Sequence, residues 1–313
     1  MDSRTTSTRR GDAAAAALEA DSGLIHRSRA RRRGLSDDDI SNLIRRGRWV
    51  RLQPGIYAPR PTPLVRARGA VAAARGPATA SHATAARVHE IPILTDQETV
   101  TDPSIEHITV DRDPRVINRS LLRIHTRQLS PDERCHIGGV PLTTPARTVA
   151  DLLMSAPDAL GLWAAERCLA MAMATTDQIV AALGRAGRVP GIRAARARFA
   201  QAQPRSESPF ETMTRLVIVD AGLPEPRVQV PICDSVTGEV WFRIDMGYPE
   251  LRLGIECDGK STHTPPPAVY RDRRRQNHLQ LLGWTLIRVT WYDVMQRPSY
   301  VVWLIRQALA DAA

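Results

Sequence analysis

Features that are missing from this chain narrow its possible functions before any motif is considered. The four cysteines are scattered and form no CxxC pair, which argues against a structural zinc site and a disulfide framework. No apolar run approaches the roughly 18 residues that a membrane-spanning helix needs. Glycine-rich phosphate loops and nucleophile elbows are also missing. We therefore expect a cytoplasmic protein with no membrane partner.

Acidic residues are too few to balance the basic ones. Asp and Glu number 33 against 43 Lys and Arg, which gives a formal net charge of +10 and a pI near 10.4. Such an excess favours polyanionic partners and says nothing about the fold. The length of 313 residues is enough for two or three domains that each bury a core.

The start of the chain combines Ser, Thr and Arg with a short alanine run. Its apolar part, residues 13–18, is too short for a secretory signal and is flanked by Asp12 and Glu19. Residues 1–20 are therefore predicted to be a disordered tail.

A helix start signal follows near residue 36. Ser36 is placed to cap a helix, and Asp39 lies at the reciprocal capping position. Ile40, Leu43 and Ile44 then recur at the spacing of one buried helix face. The sequence therefore predicts a well-defined amphipathic helix here.

The next stretch predicts a β-hairpin. It reads RWVRLQPGIYA, alternates between apolar and polar residues, and turns at Gln53-Pro54-Gly55. With an earlier helix over residues 24–33, the order becomes helix, turn, helix, hairpin. This order is typical of a winged helix-turn-helix domain, which we place at residues 21–60.

These residues, RRRGLSDDDISNLIRRGRWVRLQPGIYA, resemble the N-terminal winged helix of the abortive-infection type IV (AbiEi-like) antitoxin family. The later segments ATASHATAARVHEI and GGVPLTTPARTVADLL resemble the body that follows it in that family. The resemblance implies an antitoxin-like middle domain at residues 61–203, binding of double-stranded DNA, autoregulation beside a toxin gene, and a cognate toxin as partner. We expect this middle region to be mostly helical, and we find no catalytic constellation in it.

Arginines of the N-terminal region are the candidates for DNA contact. They could instead be solvated helix ends in a chain that is rich in arginine throughout. The order of helices and hairpin favours contact with DNA. The candidates are Arg45, Arg46, Arg48 and Arg51.

The most informative stretch of the chain lies near residue 250. In LGIECDG, strand alternation places Ile255 and Cys257 on one face and Glu256 and Asp258 on the other. The preceding strand carries Asp245, and the turn between the strands could bring it alongside Glu256. Gathered carboxylates are unfavourable unless a cation holds them, and hard oxygen ligands suit Mg²⁺ or Mn²⁺. The sequence therefore predicts a metal site at Asp245, Glu256 and Asp258.

The elements around this site follow the order helix, three strands, basic helix, strand and helix. The residues SPFETMTRLVIVDAGLP, RIDMGYPELRLGIECDGKSTH and RDRRRQNHLQLLGWTLIRVTW closely resemble the Vsr-like branch of the PD-(D/E)XK nuclease superfamily. The resemblance implies an α/β restriction-endonuclease-like core at residues 206–313 and metal-dependent hydrolysis of DNA phosphodiester bonds.

The resemblance also implies catalytic roles for single positions. Asp245 corresponds to the superfamily's metal-binding aspartate, and Glu256 to the first acid of its E-x-K element. Asp258 stands where that element usually has lysine, which leaves open the group that activates water. Lys260 could return a cation to the site. His263 could be a general base if its loop folds back, or only a solvated loop residue.

Other candidates at this site have structural alternatives. Glu211 could approach the metal, complete a capping box with Ser208, or pair with Arg215. Asp258 with Gly259 could be an ordinary turn. A basic cluster after the acidic loop could hold phosphates near the metal, or be a solvated helix face. That cluster is Arg271, Arg273, Arg274 and Arg275.

These patterns predict a multidomain α+β protein with a winged helix-turn-helix, a mostly helical middle region and a restriction-endonuclease-like core. The predicted activity is Mg²⁺- or Mn²⁺-dependent nicking or cutting of double-stranded DNA. The alternative is a non-catalytic antitoxin-like transcriptional regulator with an inactive nuclease fold, and a third possibility is an RNA-processing nuclease. Trp284, Trp291 and Trp303 are expected in the core rather than against bases.

Overall fold

The computed structural model divides the chain into two compact units, neither of which is one continuous stretch. The first unit combines Met1–Pro157 with Met171–Ala197, and the second combines Asp158–Ala170 with Arg198–Ala313. Within the described ranges, no helix is both long and apolar enough to cross a membrane. The structure describes residues 12–19, 23–74, 76–93, 104–111, 120–156, 158–234, 237–258 and 266–312.

An N-terminal helix, α1 (residues 12–19), packs on the first hydrophobic core. Leu18 is 1% exposed, and Glu19 accepts hydrogen bonds from Trp49 Nε1 at 2.7 Å and Arg48 Nε at 2.8 Å. The prediction of a disordered tail was therefore wrong for residues 12–19. Alanine has the highest helix propensity, so one buried leucine and a few polar contacts suffice to anchor the run.

The capped helix and the hairpin are both present. The elements are β1 (Ile25–His26), α2 (Arg27–Arg32), α3 (Asp37–Arg45), β2 (Val50–Gln53) and β3 (Ile56–Ala58). Ser36 Oγ accepts from Asp39 N at 3.1 Å, and Asp39 Oδ2 accepts from Ser36 N at 2.8 Å, which confirms the predicted capping box. The three strands form a sheet of order β1-β3-β2.

A mixed five-stranded sheet makes up the centre of the first unit. The elements are α4 (Pro63–Ala72), β4 (Ala78–Ala80), α5 (His82–Val88), β5 (Glu106–Val110), β6 (Leu122–Thr126), β7 (Arg134–Ile137), β8 (Val140–Thr143), α6 (Pro145–Ser155), then α7 (Asp158–Ala170) of the second unit, α8 (Thr176–Arg185) and α9 (Ile192–Phe199). The strand order is β6-β5-β4-β8-β7, with β5–β6 and β4–β8 parallel. The prediction of a mostly helical region missed this sheet, because strands as short as ATA show no alternation.

The second unit is built on a four-stranded sheet. Its remaining elements are α10 (Pro209–Asp220), β9 (Arg227–Cys233), β10 (Val240–Tyr248), β11 (Leu253–Asp258), α11 (Pro266–Leu281), β12 (Thr285–Thr290), α12 (Trp291–Gln296) and α13 (Pro298–Ala312). The strand order is β12-β11-β10-β9, with β11 and β12 parallel and the other pairs antiparallel. The predicted order of helices and strands is confirmed, with the short α12 inserted before the last helix.

Helices cover both faces of this sheet. One core joins Ile218 of α10 and Val301 of α13 to Ile255 of β11, and Leu279 of α11 packs against a second cluster on β9 and β10. Strand β12 is only partly buried, because it is an edge strand on which alternate residues face solvent. Trp303 is 54% exposed, so its predicted place in the core was wrong.

A buried ion pair ties α7 to α10. Arg215 NH2 donates to Glu166 Oε1 at 2.5 Å, and both side chains are 0% exposed. Thr212 Oγ1 donates to the other oxygen of Glu166, and Arg215 NH1 donates to Glu225 at 3.1 Å. The predicted alternative of a pair between Arg215 and Glu211 was therefore wrong.

Candidate functional site

The antiparallel pairing of β10 and β11 brings two acidic residues side by side. Met246 pairs with Ile255, so the same register places Asp245 next to Glu256. Asp245 Oδ2 accepts a hydrogen bond from Cys257 N at 2.8 Å, which fixes this carboxylate against the neighbouring strand. The hairpin thus brings Asp245 alongside Glu256, as the turn predicted at residues 247–250 suggested.

The residues of β11 alternate between core and site as predicted. Ile255 is 0% exposed within the main core, and Cys257 packs against the same cluster. Glu256 points to the opposite face and is 9% exposed, while Asp258 is exposed at the end of the strand. Strand parity therefore sorts the apolar side chains from the acidic ones.

Glu256 is held between two arginines. Its Oε1 forms an ion pair with Arg275 of α11, and its Oε2 lies 3.3 Å from Arg288 Nε of β12. Burial raises the pKa of Glu256, the two arginines oppose that rise, and the charge of Asp245 adds to it. The carboxylate oxygens that a metal would need are thus engaged by guanidinium groups.

Asp245 experiences the same competition. Burial raises the pKa of Asp245, while the Cys257 amide and Arg275 lower it. Glu207 and Asp258 raise the pKa of Asp245 further, because like charges lie nearby. An added cation between these acids would relieve their repulsion.

Glu211 lies at the N-terminus of α10 and is 5% exposed. Ser208 Oγ donates to its Oε1 at 2.8 Å, and Glu207 N and Gln229 Nε2 donate to its Oε2 at 2.9 and 3.1 Å. Burial raises the pKa of Glu211, these three donors oppose the rise, and Asp245 adds a small increase. Glu211 therefore acts as a cap for the helix while lying within the electrostatic range of the site.

Several predicted members fall where the structure offers no description. Lys260 and His263 lie outside the described residues, as does the side chain of Arg271. Their catalytic and DNA-binding roles stay predictions.

A groove lined by basic and aromatic side chains opens beside the acidic pair. It has a volume of about 550 Å³ and is lined in part by Trp241, Phe242 and His278 together with Arg274 and Arg275. Trp241 is 44% exposed and lies tilted against His278, with ring centroids 5.5 Å apart. Sequence reasoning missed both aromatic residues, although their place in β10, just before Asp245, was a usable signal.

The basic cluster of α11 splits into two kinds of arginine. Arg273 and Arg274 are exposed. Arg275 pairs with Glu256, donates to the backbone oxygen of Arg243 at 2.6 Å, and lies over the Phe242 ring. Among the cluster's described side chains, Arg273 and Arg274 are therefore the ones that present their charge to solvent.

The N-terminal arginines divide in the same way. Arg48 pairs with Glu19 at 2.8 Å and with Asp12 at 3.0 Å, so it anchors α1. Arg45, Arg46 and Arg51 are exposed. Their contact with DNA stays a prediction.

Comparison with known proteins defines the class of protein first. Residues 13–60 match the family described as "Transcriptional regulator, AbiEi antitoxin", and residues 234–309 match a restriction-endonuclease-like family, REase_MTES_1575. The chain therefore combines an antitoxin-type segment with a restriction-endonuclease-like segment.

Two mycobacterial relatives then give the particular family. The chain is 35% identical over 190 residues to "Uncharacterized protein MT2308" of Mycobacterium tuberculosis strain CDC 1551 / Oshkosh, and equally to "Uncharacterized protein Rv2248" of strain ATCC 25618 / H37Rv. Each alignment covers 60% of this chain and 68% of the relative. The chain belongs to the family of these two proteins.

Proposed function

We propose that this protein binds double-stranded DNA and that its second unit hydrolyses DNA phosphodiester bonds. The observation that carries the proposal is the placement of Asp245 beside Glu256 on adjacent strands, next to a groove with Arg274 and Arg275. Carboxylates on rigid strands are the usual support for this chemistry. In this proposal the site would follow the Vsr-like pattern, with Asp258 in place of lysine.

The donor set is chemically suited to a hard divalent cation. Asp245, Glu256 and Asp258 offer only carboxylate oxygens, which Mg²⁺ and Mn²⁺ prefer. At such a site the ion polarises the phosphoryl group and lowers the pKa of the attacking water. The arginines that now pair with Glu256 have to exchange their partner for phosphate before Glu256 can serve as a ligand.

The proposed division of labour follows the charges. Arg273 and Arg274 would hold phosphates without reading sequence, and Trp241 would pack against an exposed base or sugar. Lys260 is proposed to place a positive charge at the site, and His263 is proposed to act as the general base. Glu211 would position the acids from its capped helix.

The first unit would bind DNA through a winged helix-turn-helix and so determine where on the DNA the protein binds. The helices α2 and α3 followed by the hairpin β2–β3 support this assignment. Arg45, Arg46 and Arg51 are exposed and would contact phosphates. A cytoplasmic location and a cognate toxin as partner belong to the same proposal, by analogy with the antitoxin family matched at residues 13–60.

A second candidate is a non-catalytic antitoxin-like regulator with an inactive nuclease fold. The pairing of both Glu256 oxygens with Arg275 and Arg288 favours it, because those arginines neutralise the acid without any metal. Asp258 at the usual lysine position also favours it.

Plasmid nicking separates the two candidates. Full-length protein should convert supercoiled plasmid in Mg²⁺ or Mn²⁺ but not in EDTA. Asp245→Asn and Glu256→Gln should each lower the rate by at least about 1,000-fold, because metal activation supplies several kcal/mol of transition-state stabilisation. A parallel RNA substrate tests the RNA-processing alternative.

The matched control is Glu250→Gln, an exposed acid in the turn between β10 and β11 that pairs with Arg227 at 2.6 Å. It should cleave at the wild-type rate. Cleavage that survives Asp245→Asn would remove the proposed site, and absence of any nicking by folded wild-type protein would favour the regulator.

A further inference from the structure

Three histidines of the first unit converge although they are far apart in sequence. His82 begins α5 directly after β4, and His107 and His125 lie on the neighbouring strands β5 and β6. One ligand nitrogen from each ring lies within 4.8 Å of the others. No other group of three such residues in the described part of the chain meets this spacing.

The rings form a compact stack. The ring centroids of His82 and His125 are 3.6 Å apart, and His107 Nδ1 lies 3.0 Å from His125 Nε2. We propose that His82, His107 and His125 bind one divalent transition-metal ion, Zn²⁺ in the first instance, and that Asp151 positions His82 for it. This site is independent of the acidic site and of the proposed nuclease activity.

The protonation state of the cluster suits a metal. Burial lowers the pKa of His107 to about 4, the pKa of His125 to about 2, and the pKa of His82 well below its ordinary value. All three imidazoles are therefore neutral at pH 7, and a neutral imidazole is the form that binds Zn²⁺. In the contact between His107 Nδ1 and His125 Nε2, one nitrogen donates its N–H and the other accepts with its lone pair. The contact therefore occupies the lone pair of one ring and not that of the other.

Asp151 provides a second, independent observation. Its side chain is 1% exposed, and its Oδ1 accepts from Arg147 NH2 at 2.6 Å. Its Oδ2 has no hydrogen-bond partner and lies 3.9 Å from His82 Nδ1. A buried carboxylate oxygen directed at the far side of a ligating histidine is the usual orienting partner in zinc sites.

The surroundings of His82 point the same way. Ser81 Oγ lies 2.9 Å from His82 Nδ1 and also accepts from Thr109 Oγ1 at 2.8 Å. With Nδ1 facing Ser81 and Asp151, Nε2 is the nitrogen left for the ion. His82 also adopts a φ of 50°, which is unfavourable for a residue with a Cβ. Strained conformations of this kind cluster at functional sites.

The ligand nitrogens lie within 4.8 Å of one another, which is wider than the spacing in a tetrahedral site. Zn–N bonds of about 2.0–2.1 Å place ligand nitrogens roughly 3.3 Å apart. Binding therefore requires the stacked rings to tilt apart and draw their nitrogens together. Four arginines place positive charge near the histidines and oppose a cation. Arg147 is paired with Asp151 and Glu133, and Arg87 with Glu106, so the charges that act most directly against the ion are those of Arg123 and Arg127.

The test is Zn²⁺ binding by full-length protein that carries no affinity tag and has been stripped with a chelator. Calorimetry with a competing chelator should give one site per chain, and Co²⁺ should give the visible spectrum of a tetrahedral complex. X-ray absorption of the Zn²⁺-loaded wild-type protein should report three imidazole ligands, which requires no variant to fold.

Variants locate the site. His107→Gln and His125→Gln should each weaken Zn²⁺ binding by at least about 100-fold, and Asp151→Asn by about 10- to 100-fold. His136→Gln is the matched control, because His136 is an exposed residue of β7 in the same unit and should bind as wild type. Fewer than three imidazoles in the absorption spectrum, no stoichiometric binding, or full affinity in folded His125→Gln would overturn the proposal.

Discussion

The acidic cluster of the second unit and the histidine cluster of the first unit both bury ionisable side chains, but they deal with charge differently. Glu256 stays beside Arg275 and Arg288, which offset its desolvation by pairing. The three histidines lose their charge instead, because burial lowers their pKa values. A paired carboxylate must release an arginine before it can bind a metal, whereas a neutral imidazole is already in the protonation state that binds one.

Loss of an ion pair should cost most where both of its partners are fully buried, as in the pair of Glu166 with Arg215. Glu166→Ala would leave the guanidinium of Arg215 buried with only Glu225 as a charged partner. We expect the free energy of unfolding of the second unit to fall by about 3–5 kcal/mol, since an uncompensated buried charge is costly. The loss is measured by chemical denaturation, with the unfolding of the second unit monitored through hydrogen exchange of α10 peptides.

Arg275→Ala is the matched comparison, because it breaks an ion pair whose arginine is 31% exposed. Solvent reaches Arg275, and Glu256 keeps Arg288 as a partner, so the loss should be smaller, about 1 kcal/mol. Equal losses for the two variants would contradict the view that burial sets the value of these pairs.

The distinction between paired and solvent-facing charge extends to the N-terminal arginines. Replacing Arg45 and Arg46 with Ala should reduce the slope of log K against log salt for duplex DNA by about 1.8, since each phosphate contact contributes about 0.9. Arg48→Ala should leave the slope unchanged, because Arg48 already pairs with Glu19 and Asp12. Fluorescence anisotropy over a salt series provides both values.

An unchanged slope in the double variant would mean that Arg45 and Arg46 are solvated helix ends. A reduced slope in Arg48→Ala would mean that the ion pair with Glu19 opens on binding. Thermal unfolding of Arg48→Ala checks the structural role separately.

The smallest expected effect concerns pH, and it has opposite signs in the two clusters. Between about pH 6.5 and 4, unfolded His107 takes up a proton that the folded chain excludes, so acidification destabilises the first unit. Burial raises the pKa values of Asp245, Glu211 and Glu256, so the folded second unit takes up protons before the unfolded chain does. Acidification toward pH 4 therefore favours its folded state.

We expect a loss of about 1 kcal/mol in the first unit, after allowance for partial exposure, and a gain in the second unit. Hydrogen exchange of β5–β6 and β10–β11 peptides at pH 7 and 5, corrected for intrinsic rates, measures it. His125→Gln should reduce the loss in the first unit, and changes of the same sign in both units would contradict the comparison. The charged groups that bear on the histidines are Arg87, Arg123, Arg127, Arg147 and Asp151.

Local signals made elements of both units predictable. The parity of LGIECD separates Ile255 from Glu256, and the capping box of Ser36 needs only residues three positions apart. The pairing of Glu256 with Arg288 was out of reach, because it depends on the parallel register of β11 and β12. That register is set by packing across the sheet and not by neighbours in the chain.

The histidine cluster shows the same limit more clearly. Its members come from one helix and two strands, and their spacing in the sequence matches no metal motif. The preceding strand β4 is only three residues long, so no alternation marks it in the sequence. The composition of the N-terminal residues predicted a disordered tail, but the alanine run forms the helix α1. Leu18 and Glu19 anchor that helix.

The interleaving of the two units restricts how this chain can be divided or recombined. Helix α7 belongs to the second unit although residues 171–197 of the first unit follow it. A gene fragment that starts after residue 203 would encode the whole sheet of the second unit but would lack Glu166, the fully buried partner of Arg215. During synthesis, neither unit is complete when α7 leaves the ribosome. A single cut therefore cannot separate the second unit together with the buried ion pair between Glu166 and Arg215.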